Sequence, residues 1–318
     1  MIAALLALAL SASAPPAQSA QSAAPAPEDQ AVRLEDIQVS GRRLDDLIQS
    51  FVSEVAAPNR GRGIARWDRS VCVGAVNLRR EAAQYLVDRV STVAEDLGLN
   101  AGDPGCTPNL LIIATADGDA FAQELVERRR RALRMGGSGM DRGAAALRDF
   151  QETSRPVRWW QVSMPVDSET GQRAVRLPGD GEDNGAKGSA LNYAPNVSVS
   201  AASRLTTQIV DNIFRAIIVV DVSKTGAVNS VQLADYIAMV SLAQIDPTAD
   251  TSAYASILNV FNDPSSASSL TEWDKAYLNG LYDAQRTRQN VRAGKSEIQS
   301  SIRRAHARLA DETPPTTD

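Results

Sequence analysis

The sequence predicts an α+β domain with α/β-like three-layer packing, a mixed sheet flanked by helices. Three observations lead there. Apolar residues recur at helical spacing in several separate segments. Short, continuous apolar runs such as NLLIIAT (109–115) and AIIVVDV (216–222) lie between them and read as buried strands. A third run, VRWWQVSMPV (157–166), alternates as a strand does. Helices interleaved with strands on one chain imply a sheet covered by helices.

Taken in order, residues 1–24 read as a signal peptide. Residues 1–27 carry no charge, and IAALLALAL is an apolar run too short to span a bilayer. Its n-region has no Lys or Arg, which points to a start upstream of Met1. Residues 25–43 read as a flexible lead-in. From Leu44, the spacing of Leu47, Ile48, Phe51, Val52 and Val55 predicts a helix that stops before Pro58. A strand is expected over 71–78 (VCVGAVNL). The clearest helix follows, with Ala82, Leu86, Val87, Val90, Val93 and Leu97 on one face and Gly98 closing it. After the 109–115 strand, another helix runs from Asp119 to Met135.

Residues 167–200 are rich in Gly, Asp, Asn and Ser and read as a long loop. Ser203 is placed to cap a helix through Phe214, leading into the 216–222 strand. A helix apolar on almost every side spans 228–245, and Thr271 is placed to cap the next, from Glu272 to about Asp283. The whole of 44–284 reads as one globular domain. Residues 285–318 read as a detached polar helix ending in a disordered Pro/Thr tail.

Composition limits the chemistry. The chain has a single histidine, His306, in its polar C-terminal part. Histidine is the commonest metal ligand and general base, so an HExxH zinc helix and a Ser/His/Asp triad in the body of the fold are excluded. No metal site and no cofactor are expected. The net charge of −5 argues against a general nucleic-acid binder. Nothing after residue 27 is long and apolar enough to cross a membrane, so the mature chain is expected to be soluble, in the periplasm or outside the cell.

Two cysteines, Cys72 and Cys106, lie well inside the mature chain. In an oxidising compartment such a pair forms a disulfide, here closing a loop that adds about 3–4 kcal/mol; two inert buried thiols are the other reading. The stretch from 128 to 158 holds nine arginines, Arg142 among them, against three acids. With the Gly-rich loop 136–143 inside it, this stretch is either a solvated helical face or a cradle for an anion. Trp159 and Trp160 point to opposite faces of a strand, so either both are buried or one forms a stacking surface. Ser138 lacks a partner base and is not a nucleophile. Asn196-Val197-Ser198 is a glycosylation acceptor only in a eukaryotic secretory host.

Asp235, with Gln232, stands on the otherwise apolar 228–245 helix. A buried carboxylate must be paired or hydrogen-bonded, so Asp235 is either a structural partner of an arginine or backbone N–H, or a residue of a cleft. Asp221 ends a buried strand, where sites of α/β proteins collect, and invites the same two readings.

The order VNSVQLADYIAMVSLAQID, SILNVFND and SLTEWDKAYLNGLYDA, over 228–284, resembles the C-terminal half of a family of exported bacterial proteins of unknown function related to zincin-type metalloproteases. There, a helix bearing a His-Glu pair precedes an SIFND stretch and an LT–D–LL–LYD stretch. The resemblance covers about 55 residues and implies a zincin-like scaffold. Where the family has His-Glu, this chain has Asp235-Tyr236, with Met239 one turn on, a set that cannot hold zinc. The resemblance therefore implies a non-catalytic exported protein that binds an envelope component or protein partner, possibly anionic. Binding would use the arginine-rich face and a cleft beside Asp235, with Gln232, Tyr236, Trp159, Trp160 and Arg142 as ligand-binding candidates. The alternative is a metal-free hydrolase of glycosidase type, using Asp221 and Asp235 as its catalytic carboxylates.

Overall fold

The computed structural model of the chain describes residues 41–134, 139–175, 205–288 and 290–312. The expected signal peptide, most of the lead-in and of the 167–200 loop, Ser138, the Ser203 cap, the Asn196 acceptor and the C-terminal tail lie outside them.

The fold is α+β. A four-stranded mixed sheet has the order β2 (Val73–Val76), β4 (Leu110–Thr115), β6 (Ile209–Asp221), β5 (Val157–Asp167). The first three are parallel, and β5 runs antiparallel on the edge. The helices are α1 (Gly41–Val55), α2 (Arg80–Asp96), α3 (Gly118–Leu133), α4 (Ala144–Glu152), α5 (Ser230–Leu242), α6 (Glu272–Asp283) and α7 (Val291–Glu312). Side chains from α1, α2, α5, α6 and α7 form the larger core on one sheet face, with Ile112 and Ile218 from the strands. Those from α3 and α4 form a smaller core on the other, with Val219. The alternation of Ile218 and Val219 between the two cores is the period-2 pattern of a strand covered on both faces.

Four expectations change. The 71–78 strand is two. β1 (Ser70–Val71) pairs with β3 (Asn100–Ala101) in a separate two-stranded parallel sheet, and the chain passes through Cys72 into β2. Of the helix expected from Ser203 to Phe214, residues 209–214 are instead the first half of β6. Its pairing with β5 runs from Val157 opposite Val220 to Asp167 opposite Ile209, with a bulge between Val162 and Ser163, and that long ladder overrides the local capping signal. Helix α4 arises inside the arginine-rich stretch, where Leu147 and Phe150 bury a short apolar face.

The fourth change concerns residues 285–310, which do not stand apart. Ile298, Ile302 and Ala305 make a narrow buried stripe on α7 and pack into the larger core. The crossing with α6 is close: a Cβ on Gly280 would lie 2.5 Å from the backbone nitrogen of Ile302, so glycine alone fits there. His306 is buried by this docking, edge-on to Trp273 with centroids 6.4 Å apart.

Cys72 and Cys106 form a disulfide, Cα–Cα 6.2 Å. It pins the loop after β3 to the junction of β1 and β2. Among the described residues, no helix is long and apolar enough to cross a membrane.

Candidate functional site: a basic cleft

Asp221 ends β6 and is buried. Its carboxylate accepts from the Gly118 N–H at 3.0 Å, the Ser223 N–H at 3.1 Å and the Ser223 hydroxyl at 2.6 Å, with Lys224 Nζ 3.0 Å away. Burial pushes this carboxyl up, but the hydrogen bonds from Ser223, Lys224 and Gly118 outweigh it and hold Asp221 below the usual range. Lys224 also binds Asp119 at 2.8 Å, and Arg158 binds Asp119 from the other side. Hydrogen bonds from Lys224 and Arg158 bring the Asp119 pKa to about 2. Two carboxylates and two cations thus close on one another. Acids held ionised in this way have no proton to give a leaving group, so neither carboxylate is suited to the general-acid role of a glycosidase pair.

Asp235 is fully buried, which favours the structural of its two readings over the cleft one. Arg89 of α2 grips it with Nε at 2.5 Å and Nη2 at 3.0 Å, and the Leu270 N–H donates to it at 2.7 Å. Arginine and backbone together satisfy it as a structural pair. Asp221 and Asp235 share no partner among the described residues: each is held by its own set of donors, Asp221 by Gly118, Ser223 and Lys224 and Asp235 by Arg89 and Leu270. Gln232 completes the capping box of α5 with Asn229, and its amide donates to the carbonyls of Pro264 and Ala267. Tyr236 is buried edge-on to Phe261 and Trp159, and burial pushes its hydroxyl far above the usual range.

Both tryptophans are buried, on opposite sheet faces. Trp159 Nε1 donates to the Ile245 carbonyl at 3.0 Å and Trp160 Nε1 to that of Leu133 at 2.8 Å. Neither offers a stacking surface. Arg142 pairs with Asp246 at 2.8 Å beside a void of about 20 Å³, room for roughly one water. Elsewhere in the arginine-rich stretch, Arg128 pairs with Glu124, Arg134 with Asp141, Arg155 with Asp149 and Arg158 with Asp119. Much of the charge that singled out this stretch is therefore matched within the fold.

The larger opening lies elsewhere and was not picked out in the sequence. A cleft of about 310 Å³ forms between the 61–66 segment, the start of β6, the end of α6 and the start of α7. Among the described residues, Arg62, Arg66, Arg286, Arg288 and Lys295 line it, with Asp211 as the one acidic residue. Arg66 is held by the carbonyls of Leu281 and Tyr282 at the α6 C-terminus, where a cation is favoured. Arg286 donates to the Asp211 carbonyl at 2.5 Å, to Asn212, and to Asp68 at 3.3 Å. Arg288 pairs with Glu297 at 2.7 Å, and Lys295 has no ion-pair partner among the described residues.

Desolvation by burial, with the charge of Arg286 nearby, lowers the Arg66 pKa to about 10, and burial also lowers Arg286. Two guanidinium groups that repel each other in a part-buried wall favour an anion between them. Asp211 is also buried; desolvation raises its carboxyl above the usual range despite Arg62 and the Gly63 N–H. Its Oδ1 has no hydrogen-bond partner, the nearest cation being Arg62 Nη1 at 3.9 Å. Ile209 and Val291 add exposed apolar surface to the cleft.

The cleft can hold and orient an anion; among the described residues, no group of three or more His, Cys, Asp or Glu is placed to bind a metal ion. Compared with known protein families, curated proteins and solved structures, the chain matches none.

Proposed function

We propose that this chain is an exported, non-catalytic protein on a zincin-like α+β scaffold that binds an anionic component of the cell envelope. The observation that carries this reading is the 310 Å³ cleft, lined among the described residues by five basic side chains and one acid. Electrostatic focusing in a concave, part-buried wall favours an anionic ligand even on a chain of net charge −5. The disulfide supports an oxidising compartment. The two stretches that carry the zincin resemblance meet at a buried hydrogen bond between Ser256 and Asp274, as segments of one structural unit would.

The experiment is co-sedimentation of the purified chain with isolated anionic envelope material at low and high salt. Arg288→Ala/Lys295→Ala, made on the cleft wall, should reduce retention at least about 10-fold while the melting temperature holds. Equal retention of variant and wild type would remove the cleft from the function. Metal analysis, with melting in zinc and in chelator, tests the non-metal part; stoichiometric zinc would overturn it.

A further inference from the structure

Five cations would suit any anion, so the acid in their midst is the informative residue. Asp211 stands in the cleft wall with a buried, unpartnered carboxylate oxygen. A fully ionised oxyanion such as sulfate brings only acceptors and meets that carboxylate with repulsion. A phosphate that keeps one proton presents both kinds of group. Its ionised oxygens accept from the guanidinium and ammonium groups, and its P–OH donates to a carboxylate.

Resting on the anion-cleft reading above, we infer that the cleft is selective for a proton-bearing phosphate, free or as a monoester, with Asp211 accepting the P–OH hydrogen bond. The cations Arg62, Arg66, Arg286, Arg288 and Lys295 supply the attraction, and Asp211 supplies the discrimination. The exposed Ile209 and Val291 leave room for an apolar substituent on the ester.

The test is calorimetric titration of the full chain with inorganic phosphate and with sulfate at about pH 6, where phosphate and its monoesters retain a proton. Wild type should bind phosphate at least about 10-fold more tightly than sulfate. Asp211→Asn, whose amide can donate to either anion, should narrow that ratio to about 3 or less by admitting sulfate. Lys295→Ala should weaken both anions alike. If wild type binds the two equally while Lys295→Ala weakens both, the selectivity is wrong and the basic cleft stands. If neither anion binds at millimolar concentration, both readings fail.

Vesicles separate the sources. Retention by phosphatidylcholine vesicles containing phosphatidic acid, but not by those containing phosphatidylglycerol, would assign a lipid monoester. Phosphate binding with no retention by either vesicle would assign a soluble phosphate. Equal retention by both lipids would overturn the role of the P–OH group.

Discussion

The Ser256 hydroxyl donates to the Asp274 carboxylate at 2.6 Å, and both residues are fully buried. Asp274 also accepts from the Ile257 N–H at 2.8 Å and from the Thr271 N–H and hydroxyl at 3.0 and 2.8 Å. One carboxylate thus ties the SILNVFND stretch to the first turn of α6. Burial pushes its pKa up against these donors. Asp274→Ala should cost about 3–5 kcal/mol, because the donors around it lose their acceptor inside the core. Ser256→Ala should cost about 1–3 kcal/mol. Urea unfolding of both variants checks this, and a loss below about 1 kcal/mol for Asp274→Ala would sink the account.

His306 gives a pH signature that can be isolated, because it is the one histidine in the chain. Burial lowers its pKa below the ordinary 6.5, with Glu272 opposing. The unfolded chain then takes up a proton more readily than the folded one. Stability contributed by the neutral ring is present above about pH 6.5 and is lost as pH falls through and below that value. The urea midpoint should drop between pH 7.5 and about 5.5 in wild type, and less in His306→Gln. Parallel curves for the two proteins would place the pH dependence elsewhere.

The disulfide between Cys72 and Cys106 restrains the unfolded chain. Cys72→Ser/Cys106→Ser should lose about 3–4 kcal/mol, seen as a lower melting temperature in non-reducing buffer. Wild type in reductant should approach the variant. An unchanged melting temperature would contradict the loop-entropy argument.

Asp235 separates a structural role from a functional one. Asp235→Asn keeps the size but weakens the two-pronged grip of Arg89, whose side chain is one-third exposed and can turn toward water. A loss of about 1–3 kcal/mol is expected, with anion binding in the cleft, whose wall does not include Asp235, unchanged. Anion affinity that fell with full retention of stability would restore Asp235 to the site.

Much of the fold is legible in the sequence, because its helices bury broad apolar faces and its central strands are continuous apolar runs. Leu86, Val90 and Val93 mark α2 by spacing alone, and the Thr271 hydroxyl caps α6 at the Asp274 N–H as expected. The first half of β6 is hidden because its partner, β5, is supplied by a distant part of the chain. The cleft is hidden for a similar reason. Arg62 and Arg66 are separated from Arg286, Arg288 and Lys295 by more than two hundred positions. No local window shows their convergence. In the arginine-rich stretch, conspicuous in one window, five of the nine arginines are paired among the described residues, three with acids in or beside the stretch and two, Arg158 and Arg142, with Asp119 and Asp246 that the fold brings to them.

The close seat of α7 at Gly280 has a consequence for the order in which the protein becomes competent. The cleft needs Lys295 and Ile298 from the last helix as well as residues near the N-terminal end of the described fold. A growing polypeptide therefore has the strands of its sheet, and most of its core, before it has this cleft. The cleft wall is complete only once α7 has closed against α6. A chain clipped before α7 would lack Lys295 and Ile298 and keep only part of the cleft wall.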